Sequence, residues 1–250
     1  MGRTRFYFNK LLGKPSVFDF QLLDESVRLD IASTQEIQYA RDIGVERELV
    51  DLMRDTVTNG DTIFDIGSNI GVLSLLLAKH DNGVDSTVHC FEPEPKNFHQ
   101  LSKNIEHNTL MGRLHPHLLA LGSKDGPIDL PTPSNERERR HSIAANKIAT
   151  DPITVPMQTM DSFVEQHRVA PDIVKINAES AAGQVLAGMG ALINSGAPRD
   201  IFLDIHPMGD DELMPDGRTP IENWLMDRGY TMAWSNQHRA IEHRHFKLTI

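Results

Sequence analysis

Buried strands alternate with amphipathic helices along most of this chain, and this alternation restricts the fold more than any other feature of the sequence. Runs of β-branched and aromatic residues at 62–66, 87–91, 172–176 and 200–205 indicate strands. Apolar residues recur at helical spacing between these runs. Strands separated by helices pair in parallel through right-handed crossovers, so the pattern predicts a mostly parallel α/β sheet with helices on both faces. Ligands bind such sheets at the carboxyl ends of the strands.

The other elements follow from the same periodicities and from turn residues. Further strands are expected within 114–121, at Tyr230–Trp234 and at His245–Ile250, which gives seven strands and an antiparallel C-terminal hairpin. A polar stretch at 131–151 predicts a long loop. Thr219–Glu222 has the form of a capping box that begins a helix. Helices are predicted over about 44–57, 70–79, 95–107, from 161, over 185–193 and between 220 and 229.

Residues 1–43 precede the regular pattern, and we interpret them as an N-terminal extension that serves as a lid or a substrate-side element. The predicted α/β domain then covers residues 44–250. No run approaches the roughly 20 apolar residues that a membrane span needs, and the N-terminus lacks the pattern of a secretory signal. We therefore expect no stable membrane insertion.

The charged residues bear on the partners of the chain. There are 35 Asp and Glu residues against 25 Lys and Arg, which gives a net charge of −10. Nucleic-acid binding needs a basic surface that neutralises phosphates, so we expect a small-molecule partner and no nucleic acid. The lone cysteine, Cys90, cannot form an internal disulfide, which favours a reducing cytoplasm. The sequence leaves homo-oligomerisation open.

The strongest functional signal lies where the strand at 62–66 meets the next helix. The run from Asp65 to Gly71 is Asp-Ile-Gly-Ser-Asn-Ile-Gly. Gly67 and Gly71 allow a tight turn and a close backbone approach to a ligand, which a Cβ would prevent. We expect Asp65 to fix the loop or to accept a hydrogen bond from a cationic ligand head. An acid in this position suits a sulfonium and amino-acid cofactor better than a pyrophosphate.

A second acid strengthens this interpretation of the loop. Glu92 ends the next strand, 21 residues after Gly71. At this spacing an acid accepts hydrogen bonds from a ribose diol. The alternative is a glycine turn beside a surface acid, but the strand and helix on either side favour a cofactor that contains a nucleoside.

Further segments stand in a recognisable order along the chain. They are GDTIFDIGSNIG at 60–71, FEPEPKN at 91–97, LSKNI at 101–105, TMDSF at 159–163 and DIVKINAE at 172–179. Together they resemble the FkbM family of S-adenosylmethionine-dependent methyltransferases. The resemblance covers about Glu46 to His206.

This resemblance implies a Rossmann-like class I methyltransferase fold for residues 44–250, with S-adenosyl-L-methionine as the cofactor. It also implies methyl transfer to a hydroxyl, often on a sugar, a polyketide or another secondary metabolite. On this mapping Glu92 holds the ribose, and Leu121, at the end of the third strand, lies beside the adenine. The same mapping implies that Asp65, Gly67 and Gly71 hold the methionine part, and that Ser68 and Asn69 of the loop also bind the cofactor.

The chain departs from the family after the fourth strand. The family usually has Lys-Ile-Asp-Val-Glu-Gly-Ala-Glu, whereas this chain has Lys-Ile-Asn-Ala-Glu-Ser-Ala-Ala from Lys175 to Ala182. Asn177 replaces the first acid, so Glu179 is the carboxylate that remains as a general base or a metal ligand. We interpret Lys175 as the ion-pair partner of a neighbouring acid.

His206 follows the strand at 200–205 and would reach the same edge of the sheet. A neutral imidazole could remove a hydroxyl proton during methyl transfer, with Asp204 or Glu179 orienting it. A loop histidine hydrogen-bonded to the backbone is an equal alternative. The candidate catalytic residues are His206, Glu179 and Asn177.

Two other groups of residues are not assigned to the site. We interpret the arginine cluster at 137–140 as part of a solvated loop, with contact to an acidic acceptor as the alternative. His238, His243 and His245 lack the Asp or Cys that would complete a ligand pattern, so we predict no metal site and interpret them as strand and surface histidines.

Two further functions remain open from the sequence. The altered segment at 177–182 would suit a cofactor-binding protein that has lost the acceptor machinery and acts as a partner or a regulator. Methyl transfer to nitrogen is the other alternative, since an amide and a histidine could position an amine without a strong base. Replacement of Glu179 and His206 would separate these cases, because a pure binder has no turnover to lose.

Overall fold

The computed structural model describes residues 16–80, 85–130, 152–178, 181–206, 212–238 and 241–249. The predicted catalytic residue Glu179 and the predicted loop at 131–151, with its arginine cluster, lie outside these residues. So do residues 1–15 of the predicted N-terminal extension.

Strands and helices alternate through the central part of the described chain. The strands are β1 (Val17–Leu22), β2 (Glu25–Asp30), β3 (Thr62–Ile66), β4 (Thr87–Phe91), β5 (Leu114–His117), β6 (Ala120–Leu121), β7 (Gly126–Leu130), β8 (Ile153–Gln158), β9 (Ile173–Ile176), β10 (Asp200–Ile205), β11 (Tyr230–His238) and β12 (Ile241–Leu248). The helices are α1 (Thr34–Val45), α2 (Arg47–Thr56), α3 (Val72–Lys79), α4 (Pro95–His107), α5 (Met160–His167), α6 (Ala182–Ala187), α7 (Gly190–Asn194) and α8 (Ile221–Met226). None of these described helices has the length and apolar composition that a membrane span requires.

Seven strands form the central sheet, in the order β11-β12-β10-β9-β3-β4-β5. The five strands from β10 to β5 run parallel to their neighbours, whereas β12 is antiparallel to both β10 and β11. This confirms the predicted sheet and its antiparallel C-terminal hairpin. The strand order reverses between β3 and β9, where Ile63 pairs with Ile173. At such a switch point the loops diverge and leave a crevice at the carboxyl ends of the strands.

Each face of the central sheet has its own hydrophobic core, because successive residues of a strand point to opposite faces. Ile63 and Phe202 pack in the first core with apolar residues of β1, β2 and α1 to α4. Phe64 and Leu203 pack in the second core with α5 to α8. Helices therefore cover both faces, as the sequence predicted. Asp65 has the same parity as Ile63 and points to the first face.

A hairpin of β1 and β2 and the helix α1 precede the central sheet. Their buried side chains join the first core, so the described part of the N-terminal segment packs with the rest of the chain. The helix expected over about 44–57 is in fact two helices. α1 ends at Val45 and α2 begins at Arg47, with Glu46 at the junction. α1 thus continues across residue 43, where the predicted N-terminal extension ends.

Two predicted elements are divided in the structure. The strand expected within 114–121 splits, because β5 ends at His117 and β6 joins a separate sheet of order β6-β8-β7 that the sequence did not predict. The helix expected over 185–193 separates into α6 and α7 near Gly188. The backbone there packs so closely that a Cβ on Gly188 would lie 1.9 Å from the carbonyl oxygen of Gly122.

The predicted capping box at the start of α8 is wrong. The hydroxyl of Thr219 donates a hydrogen bond to Asp216 Oδ2 at 2.6 Å instead of capping the helix. Pro220 takes the N-cap position, without a side-chain hydrogen bond. The side chain of Thr219 is therefore used in the preceding turn, so it does not form the capping box.

Candidate functional site

Two glycines in the left-handed region shape the loop between β3 and α3. Gly67 and Gly71 have φ values of +79° and +86°, which other residues adopt only with strain. A Cβ on Gly67 would lie 2.0 Å from the carbonyl oxygen of Asn177, and one on Gly71 would lie 2.5 Å from Leu101 Cδ1. The glycines thus let the loop pass close to the end of β9 on one side and to α4 on the other.

Glu92, which follows β4, holds this loop from the neighbouring strand. Its Oε2 accepts a hydrogen bond from the backbone N–H of Asn69 at 2.8 Å, and its Oε1 accepts one from the N–H of Glu94 at 2.9 Å. Burial raises the pKa of Glu92 to about 7, although both N–H donors act to lower it. The structure therefore brings the predicted loop and the predicted ribose-binding acid together.

Asp65 is buried and supports the loop from within the sheet. Its carboxylate accepts a hydrogen bond from Ser74 Oγ on α3, and its backbone carbonyl accepts one from Ser68 Oγ at 2.6 Å. Burial raises the pKa of Asp65, while the hydrogen bond from Ser74 and the charge of Lys175 lower it. These contacts are those of a residue that fixes the loop, the first of the two roles predicted for it.

Asn177 and His206 meet at the carboxyl ends of β9 and β10. Asn177 Oδ1 and His206 Nε2 are 3.0 Å apart. Burial lowers the pKa of His206, although the charge of Asp204 raises it, so the imidazole is neutral near pH 7. Asn177 is thus a hydrogen-bond partner of His206. Asp204, one of the two acids predicted to orient His206, is paired with Lys175 and His243, and the other, Glu179, lies outside the described residues.

A row of buried charged side chains crosses β9, β10 and β12. Lys175 Nζ pairs with Asp204 Oδ2, and Asp204 Oδ1 lies 2.6 Å from His243 Nδ1. Burial raises the pKa of Asp204, but Lys175 and His243 lower it more and hold it at about 2. Lys175 is therefore an ion-pair partner, as predicted.

The prediction that the C-terminal histidines are strand and surface residues is wrong in part. His243 and His245 lie in β12, but both are buried, because β12 is an inner strand between β10 and β11. His245 Nε2 lies 2.8 Å from Asp200 Oδ1. His243 and His245 are two residues apart in β12, so both side chains lie on the face of the sheet that also holds Lys175.

Helix α1 and the start of α2 close a small cavity over this edge of the sheet. Burial and the charge of Asp204 raise the pKa of Glu46 to about 7. The cavity is lined by Asp65, Gly67, Lys175, Asn177 and Asp204 from the sheet and by Tyr39, Ile43, Glu46, Leu49, Val50 and Leu73 from the helices.

Sequence reasoning missed Tyr39 as a site residue, because it began the regular pattern at residue 44. It missed Glu46 because it placed this residue inside one continuous helix instead of at a junction between two. A signal was present in Ile37, Ala40 and Ile43, which recur at helical spacing and are buried.

Leu121 lies in β6, outside the central sheet. Its side chain is buried in the second core with Leu119 and Phe163, and the next residue, Gly122, donates its N–H to the carbonyl oxygen of Gln158 at 3.0 Å. The contact of Leu121 with an adenine stays a prediction. An open groove runs nearby between β5, the small sheet and α5, and His117, Met157, Phe163 and His167 are among its lining residues.

One group of potential metal ligands occurs in the described part of the chain, namely Asp24, Glu25 and His80. The guanidinium of Arg54 already lies among them. Its Nη1 is 2.7 Å from Asp24 Oδ1, and its Nη2 is 3.9 Å from Glu25 Oε1. The positive charge of Arg54 stands where a metal ion would be needed, so this cluster is an ion-pair network.

The sheet order, the glycine loop after β3 and the acid after β4 are those of a class I methyltransferase. A model of the methyltransferase FkbM domain matches residues 65–232. Hexuronic acid methyltransferase AglP of Haloferax volcanii is 30% identical over 187 residues, which cover 72% of this chain and 71% of that protein. The 31-O-demethyl-FK506 methyltransferase FkbM of Streptomyces tacrolimicus is 42% identical over 55 residues, or 22% of this chain and 20% of that protein.

A solved structure shows the same fold. The crystal structure of methyltransferase FkbM from Methylobacillus flagellatus KT superposes with a TM-score of 0.55 and 14% sequence identity, over 76% of this chain. This chain spans 44% of the length of that protein chain. The domain match and the relative from Haloferax volcanii show that this chain belongs to the FkbM methyltransferase family and is a methyltransferase.

Proposed function

We propose that this chain transfers the methyl group of S-adenosylmethionine to a hydroxyl of a small molecule, with a sugar or a secondary metabolite as the favoured acceptor. The observation that supports transfer to oxygen is the pairing of Asn177 with a neutral His206, at the carboxyl edge that also holds the glycine loop. The names of two relatives agree with such acceptors, because they refer to a hexuronic acid and to 31-O-demethyl-FK506.

The residues around the loop suit S-adenosylmethionine. The carboxylate of Glu92 is held by two backbone N–H groups, so it is fixed where ribose hydroxyls can donate to it. Gly67 and Gly71 let the loop turn tightly against β9 and α4, where a Cβ would clash. The acids that line the cavity beside Gly67 favour a ligand with positive charge. When bound, the cofactor supplies an electrophilic methyl group.

His206 is the residue that we assign to the acceptor proton. In the observed orientation Nε2–H donates to Asn177 Oδ1, so the lone pair of the imidazole is on Nδ1. Nδ1 of His206 would take the proton of the acceptor hydroxyl as S-adenosylmethionine supplies the methyl group and leaves as S-adenosylhomocysteine. Asn177 thus acts by fixing the tautomer, and alignment with exclusion of water supplies most of the rate.

The test is a comparison of His206→Gln with His107→Gln, which changes an exposed histidine on α4. Methyl transfer from labelled S-adenosylmethionine would be measured on sugars, uronic acids, secondary-metabolite alcohols and matched amines. We expect wild type to methylate a hydroxyl acceptor and His206→Gln to lose about 100-fold or more in kcat, with unchanged cofactor affinity. His107→Gln should behave as wild type.

Two outcomes would contradict the proposal. Turnover of amines alone would show transfer to nitrogen. Equal kcat values for the two histidine variants on a hydroxyl acceptor would show that His206 does not accept the proton.

A further inference from the structure

Glu46 lies at the junction of α1 and α2, above the end of the central sheet. It caps the C-terminus of α1, with φ −80° and ψ 40°, and immediately precedes α2. Its side chain lines the cavity that Asp65, Gly67 and Asn177 also line. The N-terminal helices therefore contribute a carboxylate to the edge where the cofactor loop lies.

The other two acids of this cavity are already engaged. Asp65 accepts the hydroxyl of Ser74. Asp204 is paired with both Lys175 and His243. A new cation at Asp204 would compete with these two buried partners, one on each carboxylate oxygen, whereas Asp65 is held to α3 through one of its oxygens.

Glu46 differs from both of them. Among the described residues no side chain or backbone group donates a hydrogen bond to its carboxylate. Of the nearby charged groups, Asp204 and Asp42 repel it, while His243 and Lys175, which are already paired with Asp204, attract it. Burial and the charge of Asp204 raise the pKa of Glu46 to about 7. A cation that entered the cavity would supply the partner that this carboxylate lacks.

The layout of the strands indicates which part of the cofactor lies there. Glu92 follows β4, Gly67 follows β3, and Asn177 follows β9, so these residues stand in that order along the edge of the sheet. Neighbouring strands are about 4.8 Å apart, which separates Glu92 from Asn177 by roughly 10 Å. The sulfur of S-adenosylmethionine is joined directly to the ribose C5′ atom, whereas its amino group is four bonds further from the ribose. With the ribose at Glu92, the amino-acid end extends toward β9 and α1.

We propose that Glu46 is a cofactor-binding residue that holds the α-ammonium group of S-adenosylmethionine. This inference rests on the proposed function, since it requires the cofactor to bind with its ribose at Glu92. It gives α1 and α2 a role in forming the cofactor site. Glu92 would then hold the ribose, and Glu46 would hold the ammonium of the amino-acid end beside the glycine loop.

The test uses three ligands and two matched variants in isothermal titrations. S-adenosylmethionine and S-adenosylhomocysteine both carry the ammonium, but only the first carries the sulfonium charge. 5′-Methylthioadenosine has neither. Glu46→Gln removes the carboxylate, and Glu106→Gln removes an exposed carboxylate on α4 as a control.

We expect Glu46→Gln to weaken S-adenosylmethionine and S-adenosylhomocysteine by about 10- to 100-fold, the range for a hydrogen bond to a charged group. The affinity for 5′-methylthioadenosine should not change, and Glu106→Gln should match wild type for all three ligands. Glu46→Asp, which keeps a carboxylate on a shorter side chain, should retain part of the affinity. Equal melting temperatures of wild type and Glu46→Gln would exclude a folding defect.

Several results would overturn the inference. Wild-type affinity of Glu46→Gln for both charged ligands would remove Glu46 from the site. Loss for S-adenosylmethionine alone would assign Glu46 to the sulfonium, and equal loss for 5′-methylthioadenosine would show general damage to the cavity. Absence of binding by folded wild type is a different result, because it would contradict the proposed function itself.

Discussion

The two halves of the sheet's carboxyl edge are built in different ways. The half at β3 and β4 depends on backbone geometry, with Gly67 and Gly71 in the left-handed region and backbone N–H groups that fix Glu92. The half at β9 and β10 depends on side-chain charge, with Lys175 and Asp204 paired below the surface.

This difference has consequences for how each half tolerates change. A loop that depends on backbone conformation is sensitive to the addition of a single carbon atom. A buried charge network is sensitive to the removal of one partner, because the remaining charge has no solvent to stabilise it. Variants in the two halves should therefore lose stability for different physical reasons.

The largest effect is expected from Asp204→Asn. This change leaves Lys175 buried without a charge partner, and we expect a loss of about 3–5 kcal/mol in the free energy of unfolding. Urea denaturation of the purified variant measures this loss. The double variant Lys175→Met with Asp204→Asn should recover a large part of it. If the double variant is as unstable as the sum of both single changes, the charge pair is not the cause.

A smaller effect is expected from Gly67→Ala in the other half. The added Cβ would lie 2.0 Å from the carbonyl oxygen of Asn177, and φ is +79°. Together the clash and the strained backbone should destabilise the fold by roughly 2–3 kcal/mol. Gly112→Ala is the matched control, because no atom lies within 4 Å of its added Cβ. Equal urea midpoints for the two variants would contradict the importance of the close approach.

The two halves also differ in how well the sequence predicted them. The loop from Asp65 to Gly71 and Glu92 are close in the chain, and their roles depend on local turns that residue types reveal. The strands at 62–66, 87–91 and 200–205 were predicted with correct bounds because most of their residues are β-branched, aromatic or otherwise apolar.

The pairing of Lys175, Asp204 and His243 could not be predicted in the same way. It joins three strands whose order follows from packing of the whole sheet, and β12 returns antiparallel beside β10. Glu46 depends on α1 in the same manner, because only the packing of that helix brings its end over the sheet. Residues 17–22 alternate between exposed and buried apolar positions, which indicates a strand. This strand was not predicted from the sequence, because the regular pattern was placed after residue 43.

The central claim is that S-adenosylmethionine binds at this edge with its ribose on Glu92. Isothermal titration of wild type and Glu92→Gln with S-adenosylmethionine and S-adenosylhomocysteine tests it most directly, with Glu106→Gln as the control. We predict saturable binding of both ligands by wild type and the control, and a loss of about 10-fold or more in Glu92→Gln. Absence of binding by folded wild type, or equal affinity in Glu92→Gln, would contradict the claim.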